Sequence, residues 1–246
     1  MDKVILKPRR EESLLRFHPW VFSGAIAQIQ GHPAEGDLVS VCAADGRVLC
    51  CGHYQIGSIA VRVLSFDEDP TQPDFWLRML SRAYALREAC GLATSATTTC
   101  YRLVHGEGDG LPGLIIDYYD GVCVLQAHSV GMHCNRMDIA EALKKVMGDR
   151  LNGIYYKSET TLPFKADIDR GNGYIIGGPC DDTPLEYGMK MPVDWISGQK
   201  TGLFIDQREN RALVERYATG KDVLNMFCYT GGFWLYALRG GARAIS

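Results

Sequence analysis

The chain has 246 residues, 46% apolar and 22% charged, and its 26 basic and 29 acidic residues give a net charge of −3. This is the composition of an ordinary folded protein, with length for one large domain or two to three small ones. The slightly negative balance argues against a sequence-indifferent nucleic-acid coat, so any nucleic-acid contact must come from local basic patches. No apolar run approaches the roughly 18 residues that span a membrane. We therefore expect no membrane partner and a cytoplasmic location.

Nine cysteines raise the question of disulfides or a zinc site. Their number is odd, and no Cys-x-x-Cys pair occurs. The neighbours Cys51/His53 and His133/Cys134 are not followed by a second ligand pair at finger-like spacing. The sequence therefore predicts reduced thiols and no metal site.

The first segment, residues 1–68, is predicted to consist of closely spaced strands. An alternating run at 37–42 meets an apolar run at 48–51 across Asp45-Gly46, the two-residue signal of a tight hairpin. A further strand is predicted at 59–64. Short strands without long helices are typical of a small β-barrel.

The second segment, residues 74–184, combines helical and strand patterns. We expect Asp74 to cap a helix and Gly91 to end it. The apolar stripe predicted for this helix consists of Trp76, Met79, Leu80, Ala83 and Leu86. The apolar runs 114–119 and 122–126, separated by Asp-Gly, predict a second hairpin. These elements predict a compact α+β unit.

The third segment, residues 185–246, begins another unit. A strand is predicted at 222–227, a helix at 233–238 and the first residues of a further strand at 242–246. One strand–helix–strand start cannot bury a doubly wound sheet, which would need roughly 100 further residues. We therefore expect the chain to be the N-terminal portion of a longer protein.

The turn at residues 224–233, here called the cofactor turn, connects an apolar strand to a helix through Gly231 and Gly232. Glycine lets a ligand approach the backbone closely, and a helix N-terminus offers free N–H groups to a carboxylate or phosphate. The Gly-x-Gly-x-x-Gly fingerprint is absent, which disfavours a nicotinamide enzyme. A purely structural turn is the alternative interpretation.

The preceding residues 198–208, here called the lid segment, contain Lys200-Thr201 between glycines. A phosphate loop needs a glycine directly before its lysine and another glycine upstream, but Gln199 separates Gly198 from Lys200 and the upstream glycine is missing, so we exclude a nucleoside triphosphatase. Asp206 and Glu209 have capping-box spacing and predict a helix start, and this cap is the alternative role for Asp206. Arg208 and Arg211 share a helical face, either as exposed charges or as anion contacts.

Five segments in order along the chain closely resemble the PUA-domain-containing 23S rRNA cytosine-C5 methyltransferase family. The segments that carry the resemblance are 6–25, 101–104, 107–117, 198–211 and 223–233. The match covers nearly the whole chain. It implies a mixed α/β and β fold with an N-terminal PUA-like β-barrel (1–68), a central α+β domain (74–184) and the start of a Rossmann-like methyltransferase domain (185–246).

The resemblance implies transfer of a methyl group from S-adenosylmethionine to C5 of a cytosine in large-subunit ribosomal RNA. The residues expected to line the methionine and ribose end of the cofactor are Phe227, Tyr229, Gly231 and Gly232. Those expected to close over it from the lid segment are Lys200, Thr201, Phe204, Asp206 and Arg208. A zwitterionic methionine tail needs donors and an acid, and a sulfonium prefers aromatic or carbonyl neighbours.

The catalytic groups of the resembled family are not expected in this chain. C5 of cytosine becomes nucleophilic when a cysteine thiolate adds to C6. In the family that cysteine and an Asp-Pro-Pro motif lie downstream of the cofactor turn, and no Asp-Pro-Pro occurs here. We favour packing as the explanation for Cys228, and we expect the ribose-binding acid directly after Ser246. The 246 residues are thus expected to be inactive alone.

RNA contact is expected on the first segment, where cations can meet phosphates and rings can stack on bases. The residues predicted for this role are Lys7, Arg9, Arg10, Arg16, His18 and Trp20. For Trp20 we favour the alternative of core packing, and for the loop 107–113 a plain turn over a recognition loop. Two other functions stay open: a non-catalytic RNA-binding module, and a methyltransferase of the same superfamily with another RNA base as target.

Overall fold

The N-terminal part of the chain is a six-stranded sheet in the computed structural model, which describes residues 1–163, 168–169, 171–180 and 183–246. Its strands are β1 (Asp2–Leu6), β2 (Trp20–Phe22), β3 (Ile26–Gln30), β4 (Leu38–Cys42), β5 (Val48–Tyr54) and β6 (Ile59–Ser65). The strand order is β2-β6-β5-β4-β1-β3. The predicted hairpin is confirmed, because β4 and β5 pair antiparallel with Val41 opposite Cys50. Closure of this sheet into a barrel stays a prediction.

The core of this sheet follows the alternation of its strands. Val4, Val39, Val41 and Val61 are fully buried in one cluster. Side chains at every second position of a strand share a face, so a period of two directs these valines to a common side. A short 3-10 helix at Leu14–Arg16 packs Leu14 into the same cluster.

The central part is a five-stranded sheet with helices against it. The strands, in the order β11-β10-β9-β8-β7, are β7 (Cys100–His105), β8 (Leu114–Tyr119), β9 (Val122–Ala127), β10 (Gly153–Tyr156) and β11 (Gly173–Gly177). The helices are α1 (Phe75–Ala89), α2 (Val130–Cys134) and α3 (Arg136–Met147). The second predicted hairpin is confirmed by the antiparallel β8–β9 pair. Since β10 runs parallel to β9, α2 and α3 form the crossover between them.

Two details of α1 differ from expectation. Asp74 occupies the N-cap position without a capping hydrogen bond, because its carboxylate pairs with Arg78 one turn later. Leu86 was expected on the buried stripe but is 51% exposed. Gly91 follows the helix in a left-handed conformation with φ +73°, as expected of a glycine at a helix C-terminus.

The third part contains short strands and two helices. The elements are β12 (Leu185–Glu186), β13 (Met189–Lys190), α4 (Arg208–Tyr217), β14 (Asp222–Val223), α5 (Gly232–Arg239) and β15 (Ala244–Ile245). The strands β14 and β15 pair in parallel, as a strand–helix–strand start requires. A cluster of Met191, Leu203 and Tyr236 packs on Tyr119 and Val124 of the central sheet. The boundary between residues 184 and 185 stays a prediction, since the two parts share this core.

Two expectations for this part are wrong. The strand predicted at 222–227 ends at Val223, because Phe227 has φ +60° and Leu224 and Met226 are exposed, which a buried strand does not allow. No capping box forms, since a 3-10 turn over Ile205–Gln207 precedes α4 and makes Gln207 the N-cap. None of the helices within the described residues is long and apolar enough to cross a bilayer.

Candidate cofactor site

The backbone of the cofactor turn is held in unusual conformations. Phe227 and Tyr229 have φ of +60° and +45°, and Gly231 has φ +73° at the N-cap of α5. The N–H of Gly231 donates a 2.7 Å hydrogen bond to the carbonyl of Cys228, which closes the turn. Positive φ strains residues with a side chain, and such strain persists where the surroundings impose it.

The two glycines of the turn have different neighbourhoods. A Cβ on Gly231 would have no atom within 4 Å, so open space lies beside this residue. A Cβ on Gly232 would lie 3.0 Å from Cδ of Arg211 and 3.3 Å from Cε of Met191. Gly232 therefore lets α5 pack closely on α4, while Gly231 leaves its side of the turn accessible.

The lid segment bends around the carbonyl of Asp194. A Cβ on Gly198 would lie 2.1 Å from that oxygen, and one on Gly202 would lie 2.8 Å from it. The Asp194 carboxylate accepts hydrogen bonds from the Ser197 hydroxyl and amide, which lower its pKa. Between the glycines Lys200 has φ +53° and an exposed side chain. The glycine spacing noted in the sequence thus reflects close backbone packing.

Tyr229 joins the cofactor turn to the lid segment. Its hydroxyl accepts a hydrogen bond from the Gln199 N–H and lies 3.3 Å from the Gln199 carbonyl. Its ring meets Phe204 edge to face, with ring centroids 5.3 Å apart. Aromatic pairs favour this arrangement. The two segments that the sequence assigned to opposite sides of one ligand are therefore adjacent.

Thr201 fastens the lid segment to the central sheet. Its hydroxyl donates to the Asp117 carboxylate at 2.6 Å and lies 2.9 Å from the Tyr119 hydroxyl. Asp117 is 0% exposed and also accepts two hydrogen bonds from Arg102, at 2.8 and 3.0 Å. Burial raises the pKa of Tyr119 well above its ordinary value, so its hydroxyl keeps its proton. Thr201 thus faces the central sheet.

Arg208 and Arg211 converge on one buried carboxylate, that of Glu186. Arg211 donates to its two oxygens at 2.7 and 2.6 Å, and Arg208 donates to it at 3.4 Å and to the carbonyl of Cys100. Arg211 also donates to the Phe204 carbonyl at 3.0 Å. Arg208 and Arg211 are therefore buried, not exposed charges; the anion that they contact is the Glu186 carboxylate, and contact with a ligand stays a prediction. The role of this buried cluster is to fix α4 and the end of the lid segment.

A family model for a PUA-like domain matches residues 4–66, and one for an S-adenosylmethionine-dependent methyltransferase matches residues 102–246. The second match spans more than half of the chain. This chain belongs to the S-adenosylmethionine-dependent methyltransferase family.

Relatives of this chain include ribosomal RNA large subunit methyltransferase I from Aeromonas hydrophila, 41% identical over 247 residues, and from Shewanella amazonensis, 43% identical over 250 residues. These alignments cover 98% and 99% of the chain and 61% of each relative. A structure described as a SAM-dependent methyltransferase from Streptococcus mutans superimposes with a TM-score of 0.82 at 24% identity. It covers 100% of this chain and 62% of the other. A methyltransferase structure complexed with SAH superimposes with a TM-score of 0.83 at 24% identity and the same coverage.

The cofactor turn of this family member has features that fit S-adenosylmethionine. The Nδ2 atom of Asn225 is buried and has no hydrogen-bond partner among the described residues. The first N–H groups of α5 have no intrahelical acceptor, as at any helix start, and they favour a carboxylate. Open space adjoins Gly231, and the rings of Phe227 and Tyr229 are exposed beside it in sequence. Unused donors, free space and aromatic rings are what a methionine carboxylate and a sulfonium require.

Asn225 was missed by the sequence reasoning. A polar residue inside the apolar run Leu224-Asn-Met-Phe is the signal that could have identified it. Its backbone is placed by a 2.8 Å hydrogen bond from its N–H to the carbonyl of Ser246. Asp117 and Glu186 were likewise absent from the predicted site, although each is an acid next to apolar strand residues.

The predicted cofactor residues separate into two groups. Lys200, Phe204, Asp206, Phe227 and Tyr229 are exposed, and Gly231 and Gly232 lie in the turn. Thr201 and Arg208 are buried with protein partners. Asp206 and Arg208 line a cavity of about 450 Å³ between α1 and β7, whose lining includes no residue of the cofactor turn. A direct ligand contact for each of these residues stays a prediction.

The residues predicted for RNA lie on or near the N-terminal sheet. Arg9 and Arg10 are exposed, Lys7 donates to the Gly24 carbonyl at 2.9 Å, and Arg16 reaches the Glu12 carbonyl at 3.4 Å. His18 Nδ1 accepts the Trp20 N–H at 3.2 Å, and their rings meet edge to face.

Trp20 does not belong to the core cluster, so core packing is the wrong explanation for it. Its Nε1–H donates to the Glu107 carboxylate at 2.8 Å and so links β2 to the loop 107–113. That loop begins as a 3-10 turn over Gly106–Asp109, which is anchored by the ion pair between Asp109 and Arg87. The expectation of a plain turn therefore holds only in part.

The buried thiols of this chain are unsuited to nucleophilic catalysis. Burial raises the pKa of Cys50 to about 12 and that of Cys100 to about 11, and a thiol that keeps its proton is a weak nucleophile. Cys228 is exposed in the cofactor turn, so packing does not explain a small residue there. Among the described residues no three His, Cys, Asp or Glu side chains cluster in a way that could hold a metal ion.

Proposed function

We propose that this chain forms the RNA-binding and cofactor-binding portion of an enzyme that methylates C5 of a cytosine in large-subunit ribosomal RNA. The observation that carries the proposal is the joining, in one chain, of a PUA-like domain at 4–66 and the methyltransferase family match at 102–246. The relatives named ribosomal RNA large subunit methyltransferase I share this order over 98–99% of the chain. The assignment of cytosine as the target base is supported by the motif resemblance.

Each of the three segments has its own role in the proposed function. Residues 1–68 would bind RNA, residues 74–184 would support both neighbours, and residues 185–246 would hold the cofactor. The separate core of the first sheet supports an independent first domain. The core shared by the second and third segments supports a rigid base for the cofactor turn.

In the proposed cofactor site, the residues of this chain bind and position. The N–H groups at the start of α5 and the Asn225 amide would hold the methionine end, and Phe204 with Tyr229 would face the sulfonium. S-adenosylmethionine, when bound, supplies an electrophilic methyl group. Thr201 and Arg208 would act indirectly, because their hydrogen bonds to Asp117 and Glu186 hold the lid segment in place.

No cysteine of this chain is proposed as the nucleophile. The raised pKa values of the buried thiols support this assignment, as does the absence of an Asp-Pro-Pro motif from the sequence. The nucleophile of the proposed reaction is therefore left unassigned among these 246 residues. The chain also spans only about 61% of the length of its relatives.

Two titrations of the 246-residue chain test the proposal, one with S-adenosylmethionine and one with a ribosomal RNA hairpin. Binding of both is the expected result. RNA binding without cofactor binding would instead favour a non-catalytic RNA-binding module. For the target base, mass spectrometry of large-subunit ribosomal RNA from cells that express this protein should detect 5-methylcytosine at a position that is unmodified in cells without it. Methylation of a different base would overturn the cytosine assignment.

A further inference from the structure

A small cavity lies where the N-terminal sheet meets the central sheet. It has a volume of about 250 Å³ and is lined by Arg62 of β6, by Glu107 and Gly113 of the loop, and by His128 after β9. The loop and the strand end are joined, because the N–H of His128 donates to the Gly113 carbonyl at 2.8 Å. A Cβ on Gly113 would lie 3.6 Å from Cδ of Arg62, so the arginine stem packs along the loop.

Aromatic residues continue this cavity on one side. Trp20 is the cross-strand partner of Arg62 in the β2–β6 pair, and its indole N–H is bonded to Glu107. The ring of His18 lies 5.7 Å from the Trp20 ring, and Phe22 lies 6.3 Å from it. Phe22 is exposed, and Trp20 and His18 are half-buried. An aromatic surface thus adjoins the arginine.

The lid segment is linked to the strand that precedes His128. Gln126, two residues before His128, donates from its side chain to the Lys200 carbonyl at 3.3 Å. Desolvation lowers the pKa of His128, and the positive charges of Lys200, Arg102 and Arg62 lower it further, while Glu107 opposes them. His128 is nevertheless exposed. Arg62 and His128 thus bring two basic side chains to the cavity, beside Glu107, whose carboxylate is bonded to Trp20.

Building on the function proposed above, we infer that the cavity and the adjoining rings of His18, Trp20 and Phe22, here called the groove, bind single-stranded RNA. Arg62 and His128 would contact the phosphates of its backbone, and the Trp20 ring would stack on a base. Cations that alternate with aromatic rings suit single-stranded nucleic acid, whose charged backbone and flat bases need both. An acidic peptide would use the cations but not the rings.

Arg62 is well placed for a phosphate. Within the described residues its guanidinium makes one hydrogen bond, a 3.0 Å contact from Nη1 to the Gln55 side chain. A guanidinium has five N–H donors in a planar fork that matches phosphate oxygens. A phosphate near His128 would also favour its protonated form, which adds a second cation to the contact.

The test is fluorescence anisotropy of a short labelled single-stranded RNA with the full chain, measured over a range of salt concentrations. The double variant Arg62→Gln/His128→Gln should bind about ten-fold or more weakly. The slope of log K against log salt should fall in magnitude by about 0.7 for each phosphate that the variant no longer neutralises. The matched control Arg47→Gln/His32→Gln changes two exposed residues in loops of the same N-terminal sheet. It should leave affinity and slope unchanged.

His128→Gln alone serves as the second variant if the double variant unfolds, because His128 is exposed. If the wild-type chain binds RNA and both variants bind it with the same affinity and salt slope, the groove is not the binding site. That result would leave the proposed function intact. Cofactor binding without any RNA binding would overturn both the groove and the RNA part of that function. Equal competition by polyglutamate would show a site for acidic protein partners and would also overturn the inference.

Discussion

The hydroxyl of Thr201 donates a 2.6 Å hydrogen bond to the fully buried carboxylate of Asp117. The two residues are 84 positions apart, one in the lid segment and the other in β8. Arg102 pairs with the same carboxylate, and Tyr119 meets the Thr201 hydroxyl. The position of the lid segment is therefore set by the central sheet as well as by its own glycines.

Replacing Thr201 with valine keeps the side-chain shape and removes the hydroxyl. The buried Asp117 oxygen then loses a donor, which should lower the free energy of unfolding by about 1–3 kcal/mol. We also expect weaker S-adenosylmethionine binding, because the lid segment loses its anchor. Urea denaturation and calorimetric titration measure the two effects. Thr94→Val, at an exposed position, should change stability by less than about 0.5 kcal/mol, and equal effects of the two substitutions would contradict the anchor.

Glu186→Gln should be much more destabilising than a comparable change at the surface. Glu186 is fully buried between Arg208 and Arg211, so its loss leaves two buried cations without a counterion. Removing one partner of such a cluster costs about 3–5 kcal/mol. Glu215→Gln, which breaks a partly exposed pair with Arg239, should cost about 1 kcal/mol or less. Chemical denaturation compares the two, and similar losses would show that the buried cluster contributes little.

Local features of this fold were predictable from the sequence. The two hairpins follow from alternating runs around Asp-Gly, and α1 follows from apolar spacing and the glycine after it. The cofactor turn was recognised from Gly231 and Gly232 because their requirement is local, a left-handed N-cap and a close helix contact. Periodicity and turn chemistry are properties of neighbouring residues.

Long-range pairs were not predictable in this way. Thr201 and Arg208 were predicted to contact the ligand, and their hydrogen bonds to Asp117 and Glu186, which only the folded chain brings near, were not foreseen. The expected capping box does not form, because a 3-10 turn precedes α4, and the Glu209 carboxylate instead accepts a hydrogen bond from the Tyr187 hydroxyl. The tertiary structure determines which hydrogen-bond partner a polar loop side chain has, and the spacing of residues in the sequence does not.

Tyr229→Phe tests the connection between the cofactor turn and the lid segment. The substitution keeps the ring against Phe204 and removes the oxygen that accepts the Gln199 N–H. Loss of one hydrogen bond of about 1 kcal/mol should weaken S-adenosylmethionine binding about five-fold. Hydrogen exchange of the Gln199 amide should accelerate in the same variant. Tyr217→Phe, on an exposed face of α4, is the control, and an unchanged Gln199 amide in Tyr229→Phe would disprove the connection.

His53 is a buried group whose ionisation should be visible in stability. It lies in β5 against α2 and the ring of Trp76, and its Nδ1 has no hydrogen-bond partner among the described residues. Its Nε2 lies 3.2 Å from the side-chain amide of Asn135. Burial first, and the positive charge of Arg62 second, lower the pKa of His53 from 6.5 to about 4. The imidazole is therefore neutral in the folded protein at neutral pH.

We expect His53 to destabilise the fold in mild acid. Between pH 6.5 and about 4 the unfolded chain binds a proton at His53 that the folded protein does not, so the free energy of unfolding falls as the pH drops. A pKa difference of this size corresponds to a loss of about 3 kcal/mol at pH 4. Urea denaturation across this range should give a shallower decline for His53→Gln than for the wild type. His32→Gln, at an exposed position, should keep the wild-type decline, and parallel curves for all three proteins would rule out His53 as the titrating group.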